Sequence, residues 1–338
     1  MSVLNVMLID INHIDDAFRH YIENRLIPRL ERPLSGYRLE VPLSGKKSCL
    51  RILKGENGRG YVIRAFSRRN RKEARHLLNV DEILEKNNIP TPRIIDFAED
   101  FSSRKVTFVT EEYLDGKIWS ELKITPEKAK NLGDILARLH SVENSSWGKL
   151  NNPANPGGSF GKNQIKRVRH RIYRIRKFSP NTVSGAELKA VRDWFRAFRV
   201  RLDNTPKFQL IHDKLNGGNV LYSSLKFGLF LLDFATLHYG YRGKDIVQSE
   251  LGLLKNDPDL IEAFHREYFS AFSADVKKEY NKLRIFYRAY FHLSRSAVNL
   301  RRDHDSRTRK HEFKTNYYDR FVTNWRALWE IIEGESIH

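Results

Sequence analysis

The sequence is poor in features that define several large protein classes. It has a single cysteine, Cys49, so no internal disulfide and no cysteine-based zinc site can form, which fits a reducing compartment. No stretch approaches the ~18 consecutive apolar residues that a membrane-crossing helix needs. The opening residues, "MSVLNVMLIDINHIDD", lack a charged start followed by a long apolar core, so no secretory signal is read there. A cytoplasmic location is expected. Repeats of solenoid length are absent, as are Gly/Ser and Gln/Asn tracts. Negative charge is also scarce, with 41 Asp and Glu against 60 Lys and Arg. What remains is a chain of 338 residues, 40% apolar and 30% charged, a globular composition long enough for a sizeable core in two lobes.

The net charge of +19 points to polyanionic company: nucleic acid, an anionic membrane surface, or acidic and phosphorylated substrates. Simple solubility is the plain alternative, but the charge is unevenly placed. "KNQIKRVRHRIYRIRK", residues 162–177, holds eight Lys and Arg and no acid. Arg167, Arg171 and Arg174 recur there at helical spacing, as one cationic stripe or as an ordinary solvated face. No nucleic-acid reading motif accompanies them.

Hydrophobic period and turn residues divide the chain. Residues 13–30 carry Ile14, Phe18, Tyr21, Ile22 and Leu26 at helical spacing. "YRLEVPL", "SCLRILK" and "GYVIRAF" alternate as strands, separated by "SGKK" and "GENGRG" turns. Residues 70–88 return to a helical period, with Leu77, Leu78, Ile83 and Leu84 expected on one face. "IPTPRIIDFAED" ends that helix at its prolines and opens a strand, and "KVTFVTEEYL" is another. From residue 125 the pattern is helical, beginning with Thr125 as N-cap and Pro126 in the first turn. Residues 151–163 read as an exposed Pro/Gly/Asn-rich loop. "FGLFLLDFA" reads as a buried strand ending on an acid, and the chain from about 245 as helices rich in aromatics. Of these, Phe286, Tyr287, Tyr290 and Phe291 are most simply core packing.

Three stretches carry the chemistry. "HDKLNGGN", residues 212–219, is followed fourteen residues after Asn219 by Asp233, and then by Gly240 and Asp245. An Asn and an Asp on adjacent strand ends can chelate one Mg²⁺, which takes oxygen ligands and leaves positions for phosphate oxygens and water. Phosphoryl transfer is mostly positioning and charge stabilisation, so metal ligands with a cationic clamp form its minimum kit.

With these residues in view, the sequence resembles the aminoglycoside phosphotransferase and choline kinase-like superfamily, whose loop reads H-G-D-L-H-P-G-N-V-L and whose metal strand reads L-I-D-W/F. "HDKLNGGNVL" and "LLDFATLHYGYRGKD" match these without gaps, and the resemblance covers about residues 37–250. It implies an α+β, bilobal protein-kinase-like fold, with a small antiparallel β-sheet lobe and a larger, mainly helical lobe. The implied division is a helical extension over residues 1–36, a nucleotide-binding lobe over 37–116 and a helical lobe over 117–338. ATP and Mg²⁺ are the implied cofactors, with Asn219 and Asp233 holding the metal. "GYVIRAF" resembles the family's third strand, which makes Arg64 the phosphate-pairing cation, with Glu73 as its salt-bridge partner. "VTEEYLDGKIW" resembles the hinge, bringing Glu112 to the nucleotide, and "LGDILARLHSV" resembles the family's "L-A-x-L-H" helix. In "SGKK", Lys46 would cover the phosphates; an ordinary hairpin turn is the alternative.

One departure matters. Aligned on Asn219, the family's base Asp falls on Lys214, and Asp213 falls on the family's Gly. A Lys with its ordinary pKa is charged at neutral pH and accepts no proton. Either the loop bulges so that Asp213 meets the acceptor hydroxyl, or the base is absent and Lys214 contacts phosphate. His212 is expected to be structural, and Asp245 to hold the loop in place. The implied activity is ATP-dependent phosphorylation of a hydroxyl on a small, acidic or sugar-like acceptor, free or at an anionic membrane surface. The rivals are a pseudokinase working as a basic binding module and a nucleic-acid-binding protein.

Overall fold

A computed structural model describes residues 11–30, 34, 36–41, 49–56, 58–101, 105–150, 158–223, 226, 228–308 and 316–334. The chain divides into two compact units, residues 1–122 with 218–235 and residues 123–217 with 236–338. Among the described residues no helix is long and apolar enough to cross a membrane.

The first unit opens with α1 (Ile11–Tyr21), a turn of π-helix (Ile22–Leu26) and α2 (Ile27–Arg29). It continues with β1 (Tyr37–Glu40), β2 (Cys49–Gly55), β3 (Gly60–Phe66), α3 (Arg71–Lys86), β4 (Ile94–Phe101), β5 (Val106–Glu112) and β6 (Lys117–Ile118). The five longer strands form an antiparallel sheet in the order β1-β2-β3-β5-β4. Phe18, Tyr21, Ile22 and Leu26 are fully buried in one cluster with Leu53, Ile63 and Phe108 of the sheet. The described helical residues of the segment expected as an extension, 11–30, therefore contribute to this unit's core. Its polar atoms are matched too: the Tyr21 hydroxyl donates to Asp96 at 2.8 Å, and Arg25 Nε donates to the same carboxylate at 2.9 Å, so a buried charge is compensated. On α3 the buried residues are Ala74, Leu77, Val80 and Leu84. Leu78 and Ile83 are only half-buried, each being about 100° of helix rotation from a buried neighbour.

The second unit begins with α4 (Pro126–Ser141), where the Thr125 hydroxyl accepts the Lys128 N–H as the expected N-cap. Short strands β7 (Glu143–Asn144) and β8 (Gly148–Lys149) lead to α5 (Phe160–Phe178). In α5 the Ser159 hydroxyl caps the first turn at 3.1 Å. Phe160, Ile165, Val168 and Ile175 are buried, leaving the basic residues on the other face. Then come α6 (Gly185–Ala197), α7 (Arg199–Asp203), β9 (Phe208–Ile211), β10 (Val220–Ser223), β11 (Gly228–Leu231) and β12 (His238–Gly240). Strands β10 and β11 belong to the first unit, where they pair with each other and β10 also pairs with β6. The second unit's own sheet has the order β7-β9-β12-β8. It finishes with α8 (Gly243–Gln248), α9 (Pro258–Ser270), the long α10 (Ala274–Thr308) and α11 (Tyr317–Gly334). In α10, Phe286, Tyr287 and Tyr290 are buried, as expected of core packing, whereas Phe291 is half-buried.

Candidate active site

In the first unit, an antiparallel hairpin sets the metal candidates side by side. Val220 of β10 lies opposite Leu231 of β11, and one step further the Leu232 N–H donates to the Asn219 carbonyl at 2.9 Å. Asn219 and Asp233 therefore leave the hairpin at adjacent strand ends. Asp233 has a φ of +60°, a left-handed conformation that Asp tolerates better than most residues. It lines a cavity of about 180 Å³ together with Val62 and Arg64 of β3, Asp81 of α3 and Glu111 and Glu112 of β5.

The partner of Arg64 is Glu111, at 3.1 Å, and not Glu73. The register explains this: Val62 lies opposite Glu111, and Arg64 is two residues along the same strand, so both side chains share one sheet face. Glu73 is exposed in the first turn of α3, one position from the inward-facing Ala74. The acid that α3 sends to this cavity is Asp81, whose pKa is raised by burial. Glu112 is ion-paired with Lys226. Lys46 and the rest of "SGKK" lie outside the described residues.

The loop at 212–219 is divided by sequence, with residues to Gly217 in the second unit and the rest in the first. Its second-unit half is pinned by Asp245, which is fully buried. One Asp245 oxygen accepts the His212 N–H at 2.6 Å and the other accepts the Asp213 N–H at 3.0 Å. His140, the histidine of "ARLH", approaches the same carboxylate at 3.4 Å through Nε2, and its Nδ1 meets the Tyr268 hydroxyl at 2.8 Å. Burial lowers the His140 pKa, so the neutral ring donates Nε2–H to Asp245 and accepts from Tyr268. Burial alone would raise the Asp245 pKa, but the hydrogen bonds from His140 and from the His212 N–H hold it below the ordinary value. Further along, the Leu215 N–H donates to Gln248 Oε1 at 3.0 Å. Asp213 sits between these staples with a φ of +65°, the backbone geometry in which glycine is the default residue. The loop is thus pinned at His212, Asp213 and Leu215.

A family model described as "phosphotransferase enzyme family" matches residues 41–284. The chain belongs to that family. No curated protein matches it significantly. Among solved structures it is similar to a choline kinase from Streptococcus pneumoniae, at 14% identity and a TM-score of 0.59, over 96% of this chain and 100% of that one. An ethanolamine kinase from Plasmodium vivax matches at 17% identity and 0.58, over 88% and 84%. A thermostable mutant of an aminoglycoside phosphotransferase, in ternary complex with ADP and hygromycin B, matches at 16% and 0.59, over 94% and 100%. At these identities the likeness is one of fold: the chain has the α+β, protein-kinase-like architecture of these enzymes.

The second unit's cavity is strongly cationic. It encloses about 950 Å³ and is lined by the loop, α5, α8 and α10. Lys166, Arg167, Arg171, Lys214, Lys244, Arg295 and Arg302 line it, and Asp213 is the one acid among the lining residues. Asp213 is engaged: Lys244 pairs with its carboxylate, Arg167 lies 3.7 Å away and His238 3.9 Å away. His238 Nδ1 also lies 2.8 Å from the Thr236 carbonyl, and burial lowers its pKa, so the neutral ring donates there. Burial, with Arg167 and Arg171 nearby, lowers the Lys244 pKa well below the ordinary value. Lys214 is exposed on the loop.

Of the residues expected from the sequence, Arg64, Glu112 and Asp233 share the first cavity, with Asn219 beside Asp233 on the hairpin. Asp213 and Lys214 share the second. Glu111, Asp81, His140, Lys244, Arg295 and Arg302 were not foreseen. The only sequence signal for any of them was the "ARLH" match for His140.

Proposed function

We propose that this protein is a nucleotide-dependent phosphotransferase that moves the terminal phosphoryl group of ATP to a hydroxyl of a small anionic acceptor. The observation that carries this reading is the β10–β11 hairpin. It puts Asn219 beside Asp233, and Asp233 lines one cavity with Arg64 and the Glu111–Glu112 segment. The donor set fits Mg²⁺: an amide oxygen and a carboxylate are hard oxygen ligands, and this ion is commonly held by one or two carboxylates plus substrate phosphates. Among the described residues no group of three or more His, Cys, Asp or Glu competes as a metal centre. When bound, the ion would neutralise charge on the transferring phosphate. Arg64, oriented by Glu111, contributes a further fixed positive charge toward the donor phosphates.

Acceptor contacts fall to the second unit. Its cationic cavity disfavours polycationic aminoglycosides and quaternary amines through like-charge repulsion and favours anions. Asp245, steadied by His140, fixes the backbone at His212 and Asp213, next to Lys214, the residue that alignment on Asn219 sets against the family's base Asp. Because the transition state is loose, a cation there can stabilise charge while the acceptor proton leaves to solvent, at some cost in rate.

A second reading has its own support. With Lys214 in the base slot and the Asp213 carboxylate held by Lys244, the protein would bind nucleotide without turning it over. Calorimetric titration of ATP with Mg²⁺ into wild type and Asp233→Ala tests what both readings share. Binding by wild type and its loss in the variant are expected; no binding by either protein overturns both.

A further inference from the structure

The second unit's cavity holds more positive charge than one reacting phosphoryl group requires, and that charge comes from helices remote in sequence. Lys166 and Arg171 approach from α5, and Arg295 and Arg302 from α10. Among the described residues none of these four has a carboxylate within ion-pair distance. The cations crowd one another instead. Arg295 is pushed below its ordinary pKa by burial and by Arg302 and Arg320, and His170 by burial and by Arg171 and Arg174. Such an arrangement opposes folding by self-repulsion, and an anionic ligand would relieve it.

The same walls carry polar atoms whose hydrogen bonds are unmade. Asn163 Oδ1, Arg171 Nε, Tyr287 Oη and Ser294 Oγ are buried without a partner among the described residues, and all four residues line this cavity. An unpaired buried polar group costs about 1–3 kcal/mol, so four around one cavity call for a ligand or ordered water. Their chemistry is mixed: one pure acceptor, two hydroxyls that donate and accept, and one guanidinium donor. A plain inorganic anion uses only the donors. A polyol carrying a phosphate uses all of them, with ring hydroxyls on Asn163, Tyr287 and Ser294 and phosphate oxygens on the arginines. A bidentate guanidinium–phosphate pair is among the stronger charge-assisted contacts.

We propose that the cavity between α5 and α10 recognises an acceptor that is already phosphorylated: a phosphomonoester of a sugar or cyclitol, gripped by Arg171 and Arg295 and oriented by Asn163 and Ser294. This rests on the phosphotransferase reading in assigning the cavity to the acceptor. The enzyme would then add a phosphate to a hydroxyl of a compound that another kinase class had phosphorylated first.

The test is calorimetric, using the full chain. Glucose 6-phosphate and myo-inositol 1-phosphate are titrated beside glucose and myo-inositol, and in parallel vesicles with and without phosphatidylinositol 4-phosphate are assayed by co-sedimentation. The phosphorylated polyols are expected to bind and their parents not. Arg171→Gln with Arg295→Gln should weaken binding about 10- to 100-fold, the scale of one or two charge-assisted hydrogen bonds, with Mg·ATP binding unchanged. Asn163→Ala should weaken the phosphopolyols but not pyrophosphate, which separates loss of a hydroxyl contact from general damage. Capture only by the phosphoinositide vesicles supports the same chemistry with a lipid headgroup as its source. Equal binding of polyol and phosphopolyol, indifference to the double substitution, or tighter binding of a single-stranded oligonucleotide overturns the proposal. Mg·ATP binding without phosphopolyol binding sinks this site and spares the phosphotransferase reading; the converse sinks that reading and spares the site.

Discussion

Replacing Asp245 by Asn should destabilise the second unit and loosen the loop at 212–215. The Asp245 side chain is fully buried and accepts the His212 and Asp213 amides at 2.6 and 3.0 Å. An amide keeps one acceptor oxygen and turns its NH₂ toward the other backbone N–H. One buried donor is left unpaired, at about 1–3 kcal/mol, and the surviving bond loses its charge assistance, at about 1 kcal/mol. The sum is about 2–4 kcal/mol, or a fall in Tm of about 4–16 °C at 2–4 °C per kcal/mol for a unit of this size. Thermal unfolding followed by circular dichroism reads the first effect, and amide hydrogen exchange at His212 and Asp213 reads the second. Asp275→Asn, at an 86% exposed side chain, is the control and should change little. The Asp245 pKa is lowered in the folded state, so its contribution is present above the unfolded value near 3.8 and lost as pH falls through the folded value. The variant should therefore lose part of the acid sensitivity of the wild type. A Tm change within 1 °C, or unchanged exchange at both amides, would refute the loop account.

Three further outcomes follow from packing and charge. Glu250 is fully buried and accepts from His265, Tyr280, Arg284 and Arg288. Glu250→Gln should cost about 2–4 kcal/mol by urea denaturation, less than a fully buried pair because the Arg284 side chain is 35% exposed. A Cβ on Gly133 of α4 would meet the Phe264 carbonyl oxygen of α9 at 2.7 Å. Gly133→Ala should therefore destabilise despite the roughly 1 kcal/mol that alanine gains in helix propensity, and a stabilised variant would contradict the close helix contact. His140, His238 and His292 have pKa values below 6.5, with burial the largest cause. Folding resists their protonation, so stability should decline as pH drops below 6.5 and level off beneath the folded values; flat stability between pH 7 and 5 contradicts this.

Local pattern made much of the fold legible. Periodicity located α3, Thr125 announced the start of α4, and the "HDKLNGGN" to Asp233 spacing located the hairpin that joins Asn219 to Asp233. The basic run at 162–177 became α5 because its apolar residues recur on one side. What escaped is what folding brings together from a distance. Arg64 and Glu111 are joined by strand register, which no local pattern states, and of two adjacent glutamates only one faces the right way. Arg295 and Arg302 meet Arg171 because α10 runs beside α5, more than a hundred residues apart in sequence. Tyr287 and Tyr290 read as core and are buried, yet the same side chains line the second cavity. Lys244 stands next to Asp245, and only the structure shows it holding Asp213.

The central claim is transfer of a phosphoryl group, and the most direct measurement is ³¹P NMR of Mg·ATP incubated with the protein, water serving as a slow acceptor. The account predicts ADP formation that Asp233→Ala abolishes and Lys214→Ala reduces, while Asp213→Asn leaves most of it, because Lys244 already occupies that carboxylate. Abolition by Asp213→Asn with no effect of Lys214→Ala would assign the base to Asp213 and contradict the role proposed for Lys214. ADP formation no faster in wild type than in Asp233→Ala would contradict the phosphotransferase itself.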